Sequence, residues 1–245
     1  MKARIRYRKY GVMRFIGHLD LMRYFQKVMR RAEIPIAFTK GFSPHMIMSF
    51  AQPLGVGVTS DAEYIDIELT QSISSAEAIR RMNLANVEGI EVTGFVQISD
   101  SKKDSGMTIV KYADYLVTLL KSKENSEISC RIPVEWESLI REFLGQEDIL
   151  IVKKTKKSEK EVNIKPMIYD MEYRTDGINL FLATGSERNL KPSLVMDAFC
   201  RFAGLKDLTF HYHRLDVYAD KLQPEDPDFP CVIVPLLDLG EEIYG

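Results

Sequence analysis

The chain has 245 residues, 45% apolar and 28% charged, with a formal net charge of −2 at pH 7, the make-up of an ordinary soluble chain with material for one large domain or two small ones. Its start, MKARIRYRKYG, is charged and lacks an apolar h-region, and no apolar run reaches the length of a membrane span, so the expectation is a cytoplasmic protein without membrane contact. The near-neutral total hides an asymmetry: in residues 1–50 eleven Lys and Arg stand against Asp20 and Glu33, a local +9, while in residues 220–245 seven acids stand against Lys221, a local −6.

ARIRYRKYG alternates like a strand, with Ile5 and Tyr7 opposed to Arg6, and Gly11 closes it. HLDLMRYFQKVMRRAE places Leu19, Met22, Tyr24–Phe25, Val28–Met29 and Ala32 near helical spacing and stops at Pro35; IPIAFT is strand-like again, and KGFSPH is a turn leading into MIMSFAQPLGVGV. AEYIDIELT predicts a strand, SSAEAIRRMNLAN a helix with a serine cap, and GIEVTGFVQIS a closing strand. Strand, helix, strand, strand, helix, strand is the split βαβ order.

The polar stretch SDSKKDSGMTIVK interrupts the pattern, after which a similar series follows. YADYLVTLL reads as a strand, PVEWESLIREFLG as a helix built around Trp136, and DILIVKKT as a strand. EVNIKPMIYDMEYRTDGINLFLATG predicts a strand or hairpin turning at Asp176 and Gly177, KPSLVMDAFCRFAG a helix with proline in its first turn, and LTFHYHRLDVYA a final strand. The expected fold is therefore α+β: two tandem ferredoxin-like (βαββαβ) domains with antiparallel sheets at 1–100 and 112–219, then an acidic tail at 220–245. The tail's VIVPLL run is too apolar to stand in water, and packing on its own domain or on a partner protein both remain open.

The basic head suits a polyanion, since each phosphate neutralised releases condensed counterions. A solvated cationic face is the plainer account of any such run. The footprint is expected from Arg6, Arg8, Arg23, Arg30, Arg31 and Lys40, and a specific pocket from His18, Asp20, Ser43 and His45. His18 follows Gly17 at a helix start, where free amides favour phosphate, and a neutral imidazole there could take the proton of a ribose 2′-OH. Metal-free RNA cleavage would need His18 as base, His45 as acid, and Arg23 or Arg30 beside the phosphate. Equally, His18 and Asp20 could only satisfy first-turn amides. In GFSPH, Gly41 permits positive φ and Pro44 fixes the turn, presenting Ser43 and His45.

Other signals are weaker. PLGVGV lacks a GxGxxG or Walker pattern, KKTKKSEK reads as a solvated turn, and Cys130, Cys200 and Cys231 have no CxxC or CxxxCxxC spacing. His211 and His213 alternate on one strand face but lack a third ligand at a readable spacing, so neither a metal nor another cofactor is expected.

The stretch from FIGHLD through GFSPH to AEYIDIEL, dense over residues 2–70, resembles the radical-SAM-linked protein family, whose members are encoded beside or fused to a radical SAM protein. Lys165–Pro166 and Lys191–Pro192 echo it more loosely. The resemblance implies a radical SAM partner and an accessory role, because no CxxxCxxC is present to hold the cluster. A more distant architectural similarity links paired ferredoxin-like domains to the repeat-associated RNA-binding proteins of CRISPR systems, although the glycine-rich loop common there is missing. The expected function is an accessory protein that binds RNA, or another phosphate-bearing substrate, and presents it to the radical SAM enzyme. The rivals are a metal-independent ribonuclease using His18 and a protein-only interaction subunit.

Overall fold

In a computed structural model, residues 1–123, 126–130, 132–154, 159–222 and 231–245 are described. The fold is α+β with mostly antiparallel strand pairing, and the chain divides into two units, Met1–Lys111 with Asp216–Gly245, and Tyr112–Leu215.

The first unit opens with β1 (Lys2–Lys9), a 3₁₀ turn at Gly11–Phe15 and α1 (His18–Arg31). Then come β2 (Met48–Ala51), β3 (Thr59–Glu68), α2 (Ser75–Ala85), β4 (Ile90–Ile98) and a single helical turn, α3 (Gly106–Ile109). The strand order is β4-β1-β3-β2, every neighbour antiparallel. IPIAFT, expected as a strand, contributes only the bridges Ile36↔Leu69 and Phe38↔Met46.

Period 2 in β1 sorts its side chains. Ala3, Ile5 and Tyr7 join Leu21, Phe25, Val28 and Met29 of α1 and Ala78 and Met82 of α2 in one buried core. The α1 residues recur at four, three and one, the stripe a helix needs to lie on a sheet, and each large side chain so buried contributes about 1.5–3 kcal/mol. Tyr7 and Phe25 meet edge to face at 4.7 Å.

Arg4, Arg6 and Arg8 point to the other sheet face. There Arg4, only 1% exposed, grips Asp66 through Nε at 2.7 Å and Nη2 at 3.0 Å. It also donates to the carbonyls of Asp104 and Leu236, while Asp66 accepts from Gly106 N at 2.7 Å. One buried ion pair thereby pins α3 and the segment at Leu236 over this face.

The second unit holds β5 (Tyr112–Lys123), β6 (Ser126–Cys130), α4 (Trp136–Gly145), β7 (Leu150–Lys154), β8 (Glu159–Asn163), β9 (Ile168–Tyr173), β10 (Ile178–Ala183), α5 (Pro192–Phe202) and the first half of β11 (Thr209–Leu222). Its strand order is β11-β5-β10-β9, and β6 pairs with β5. DILIVKKT is a strand, yet it pairs only with β8 in a separate hairpin. Part of KKTKKSEK, residues 155–158, lies outside the described residues. The β9–β10 hairpin turns at Thr175–Asp176, one residue earlier than expected, since Arg174 and Gly177 exchange backbone hydrogen bonds. Gly177 is required for space: a Cβ there would stand 2.6 Å from Leu116 Cδ1 and 2.8 Å from Val117 O. Trp136 is buried against Phe199 in this unit's core.

From Asp216 the chain belongs to the first unit again. Tyr64 donates to Asp216 at 2.7 Å, β12 (Cys231–Pro235) pairs with Tyr218–Leu222, and β13 (Glu241–Glu242) pairs with β4. Leu236 of the VIVPLL run is fully buried, so the tail packs on its own unit at that point. No helix among the described residues is long and apolar enough to cross a membrane.

Candidate nucleic-acid interface

Burial of one α1 stripe dictates what the opposite stripe presents. With Leu21, Phe25, Val28 and Met29 inward, Asp20, Arg23, Lys27 and Arg30, spaced three, four and three, form an exposed row, with Arg31 beside it. Arg23 is drawn to Asp20 at 3.2 Å, whereas Lys27, Arg30 and Arg31 make no ion pair among the described residues. Two of the three end the helix, where the dipole favours cations.

Beside this end lies a groove of about 540 Å³ lined by Arg31, Glu33, Glu77, Arg80, Arg81 and Leu84, with Ala32 and Ala85. Ser74 caps α2 by accepting from Glu77 N at 3.4 Å, and Glu77 then reaches forward one turn. Its carboxylate accepts Nε and Nη2 of Arg80, both at 2.8 Å, and Nε of Arg81 at 2.6 Å. Those hydrogen bonds, from Arg80 first, hold the Glu77 carboxyl down at about 2. The helix layer of this unit therefore presents six cations against Asp20, Glu33 and Glu77.

Arg6 and Arg8, expected in the same footprint, are on the opposite sheet face and already paired. Arg6 meets Asp216 at 3.3 Å, and Arg8 meets Asp61 at 2.9 Å and Glu91 at 3.2 Å. The alternation of ARIRYRKY that buries Ile5 and Tyr7 against the helices sends these two away from α1.

His18 is the first residue of α1. The helix is capped by Gly17 without a side-chain hydrogen bond, and Asp20 turns to Arg23, so neither His18 nor Asp20 caps it. The His18 ring is exposed and stands edge to face on Phe50 at 5.3 Å. Around it the turn at Gly11–Phe15 and the PLGVGV loop are joined by Gly57 N donating to Arg14 O at 2.8 Å, leaving Val12, Phe15, Leu19 and Val56 exposed. Arg14 lies over the Phe15 ring at 4.7 Å.

GFSPH is a hairpin tip between the bridged Phe38 and Met46. Thr39 organises it: its hydroxyl accepts from His45 N and contacts His45 Nδ1, both at 3.1 Å, and Gly41 adopts φ +118°. Lys40, Phe42, Ser43 and His45 are all exposed.

His18 and His45 share no hydrogen bond or ring contact. Arg30 stands about 18 Å along the axis from His18 at ~1.5 Å per residue. His211 and His213 are partly buried on β11, and no group of three metal-ligating side chains occurs among the described residues.

The sequence reading overlooked Glu77, Arg80 and Arg81, although Ser-x-x-Glu at 74–77 and spacings of three and four to the arginines signal a capped, salt-bridged turn.

A family model described as an uncharacterized protein conserved in bacteria (DUF2344) matches residues 2–192, more than three quarters of the chain. The protein belongs to that family. The DUF2344 match takes in α1, the GFSPH tip and the α2 arginines. No curated protein matches the chain.

Proposed function

We propose that this DUF2344 protein is an accessory substrate-binding protein that binds RNA, or another phosphate-bearing substrate, on the α1–α2 layer of its first unit. The carrying observation is the exposed row of Lys27, Arg30 and Arg31, free of carboxylate partners among the described residues and continuous with Arg80 and Arg81. These three have no internal carboxylate to give up before a phosphate is neutralised and its counterions released. The radical SAM enzyme as recipient rests on the FIGHLD and GFSPH resemblance. Each unit is read as a ferredoxin-like βαββαβ domain, a reading supported by the orders β4-β1-β3-β2 and β11-β5-β10-β9, with β6 and the β7–β8 hairpin as additions.

A protein-only subunit is the second reading, favoured by the exposed Val12, Phe15, Leu19 and Val56 near His18, an apolar rim suited to a protein partner. Fluorescence anisotropy with labelled transfer and ribosomal RNA fragments over a salt series, with the same samples on a denaturing gel, separates the readings. RNA binding predicts log affinity falling linearly with log salt and intact RNA. Absence of binding at every salt concentration removes the RNA reading and turns attention to the apolar rim.

A further inference from the structure

The basic row can meet any polyanion, but the groove beside it is more specific. Glu77 fixes two guanidiniums at once, taking Nε and Nη2 of Arg80 and Nε of Arg81. The edges left over are Nη1 of Arg80 and both Nη groups of Arg81, a set of N–H donors whose orientation is settled before any ligand arrives. Arg31 lines the same groove and has no carboxylate partner among the described residues. Arg31, Arg80 and Arg81 against Glu77 leave an excess of two positive charges, reduced to one by Glu33 on the rim. A guanidinium fork matches tetrahedral phosphate oxygens in pairs, which a lysine point charge does not.

We propose that the groove formed by Arg31, Arg80 and Arg81, with Glu77 as positioning residue, is a seat for a phosphomonoester dianion. A backbone phosphodiester offers one charge and two free oxygens; a terminal phosphate offers close to two charges and three oxygens, enough to engage all three arginines. On the RNA reading, which this deepens, the group is the terminal phosphate of the strand. The seat also accepts free phosphate, so its test does not depend on RNA binding.

Inorganic phosphate is titrated into the full chain at constant ionic strength, following arginine Nε–H resonances by NMR. RNA oligonucleotides with a 5′-phosphate, a 3′-phosphate or hydroxyls at both ends are compared by anisotropy. The expected result is saturable shifts at Arg31, Arg80 and Arg81, tighter binding of one phosphorylated RNA, and at least a tenfold loss of both in Arg81→Lys, which keeps the charge and loses the fork. Lys27→Ala should weaken all three RNAs alike. Saturable phosphate binding without RNA binding removes the RNA reading and leaves the seat. Shifts that never saturate, or an Arg81→Lys protein that binds phosphate as the parent does, overturn it. All these arginines are exposed or half-exposed on helices, and an unchanged circular dichroism spectrum verifies the fold of each variant.

Discussion

Asp66→Asn tests the physical account of the first unit most sharply. Asn matches Asp in shape, so no cavity opens and the amide oxygen can still accept from Gly106 N. What disappears is the charge that neutralises Arg4, which is 1% exposed and bonded to Asp66 at 2.7 and 3.0 Å. Removing one partner of a buried pair costs about 3–5 kcal/mol, because the other charge stays desolvated. Set against a typical total of ~5–15 kcal/mol, that is a large fraction. Arg4→Met combined with Asp66→Leu removes both charges, and the pair itself is then near neutral. The residual cost comes from the orphaned carbonyls of Asp104 and Leu236 and the amide of Gly106, about 1–3 kcal/mol for each one left dry. Three such groups sum to about 3–9 kcal/mol, so the double variant is expected to lose at least as much stability as Asp66→Asn, through dry backbone groups instead of an unpaired charge. Urea unfolding followed by far-UV circular dichroism measures this; Trp136, the single tryptophan, reports only on the second unit. Hydrogen exchange at Gly106 adds a local probe. A loss below about 1 kcal/mol in Asp66→Asn would refute the claim that this pair is desolvated.

Three further outcomes are expected. Lys27→Glu with Arg30→Glu should flatten the salt dependence of RNA binding, the slope falling by about 0.7 for each single-strand phosphate that is no longer neutralised; an unchanged slope would place the interface elsewhere. Gly240→Ala would bring a Cβ within 2.6 Å of Gln97 O and against Val96, forcing β13 off β4. A destabilisation of about 1–3 kcal/mol with faster exchange at Ile243 N is expected, and a change under ~0.5 kcal/mol would contradict the packing. Burial, then the nearby Asp197, pushes the Cys200 thiol up to about 11, so its thiolate is scarce at pH 8, roughly one part in a thousand. Peptide-level mass spectrometry after brief maleimide treatment should find exposed Cys231 labelled and Cys200 spared, with Cys200 labelling rising as pH approaches 11; equal labelling at pH 8 would count against its burial.

Much of the local architecture was legible in the residues. Helical spacing in α1 put Phe25, Val28 and Met29 inside and so Lys27 and Arg30 outside, but it also offered Leu19, which is 62% exposed, where the packing buries Leu21. Ser74 marked the start of α2, Pro192 that of α5, and the alternation of β1 could only split its arginines from Ile5 and Tyr7. Which carboxylates those arginines would meet was decided by strand pairing: Arg4 faces Asp66 because β1 and β3 are in that register, 62 residues apart in sequence. The same non-local pairing kept β7 out of the main sheet and returned Asp216–Gly245 to the first unit. Periodicity is a property of neighbours along the chain and survives in the sequence; register and crossover choose among distant partners whose pairing energies are nearly equal. Tertiary packing therefore decided which cations stay exposed without a carboxylate and which meet an internal one.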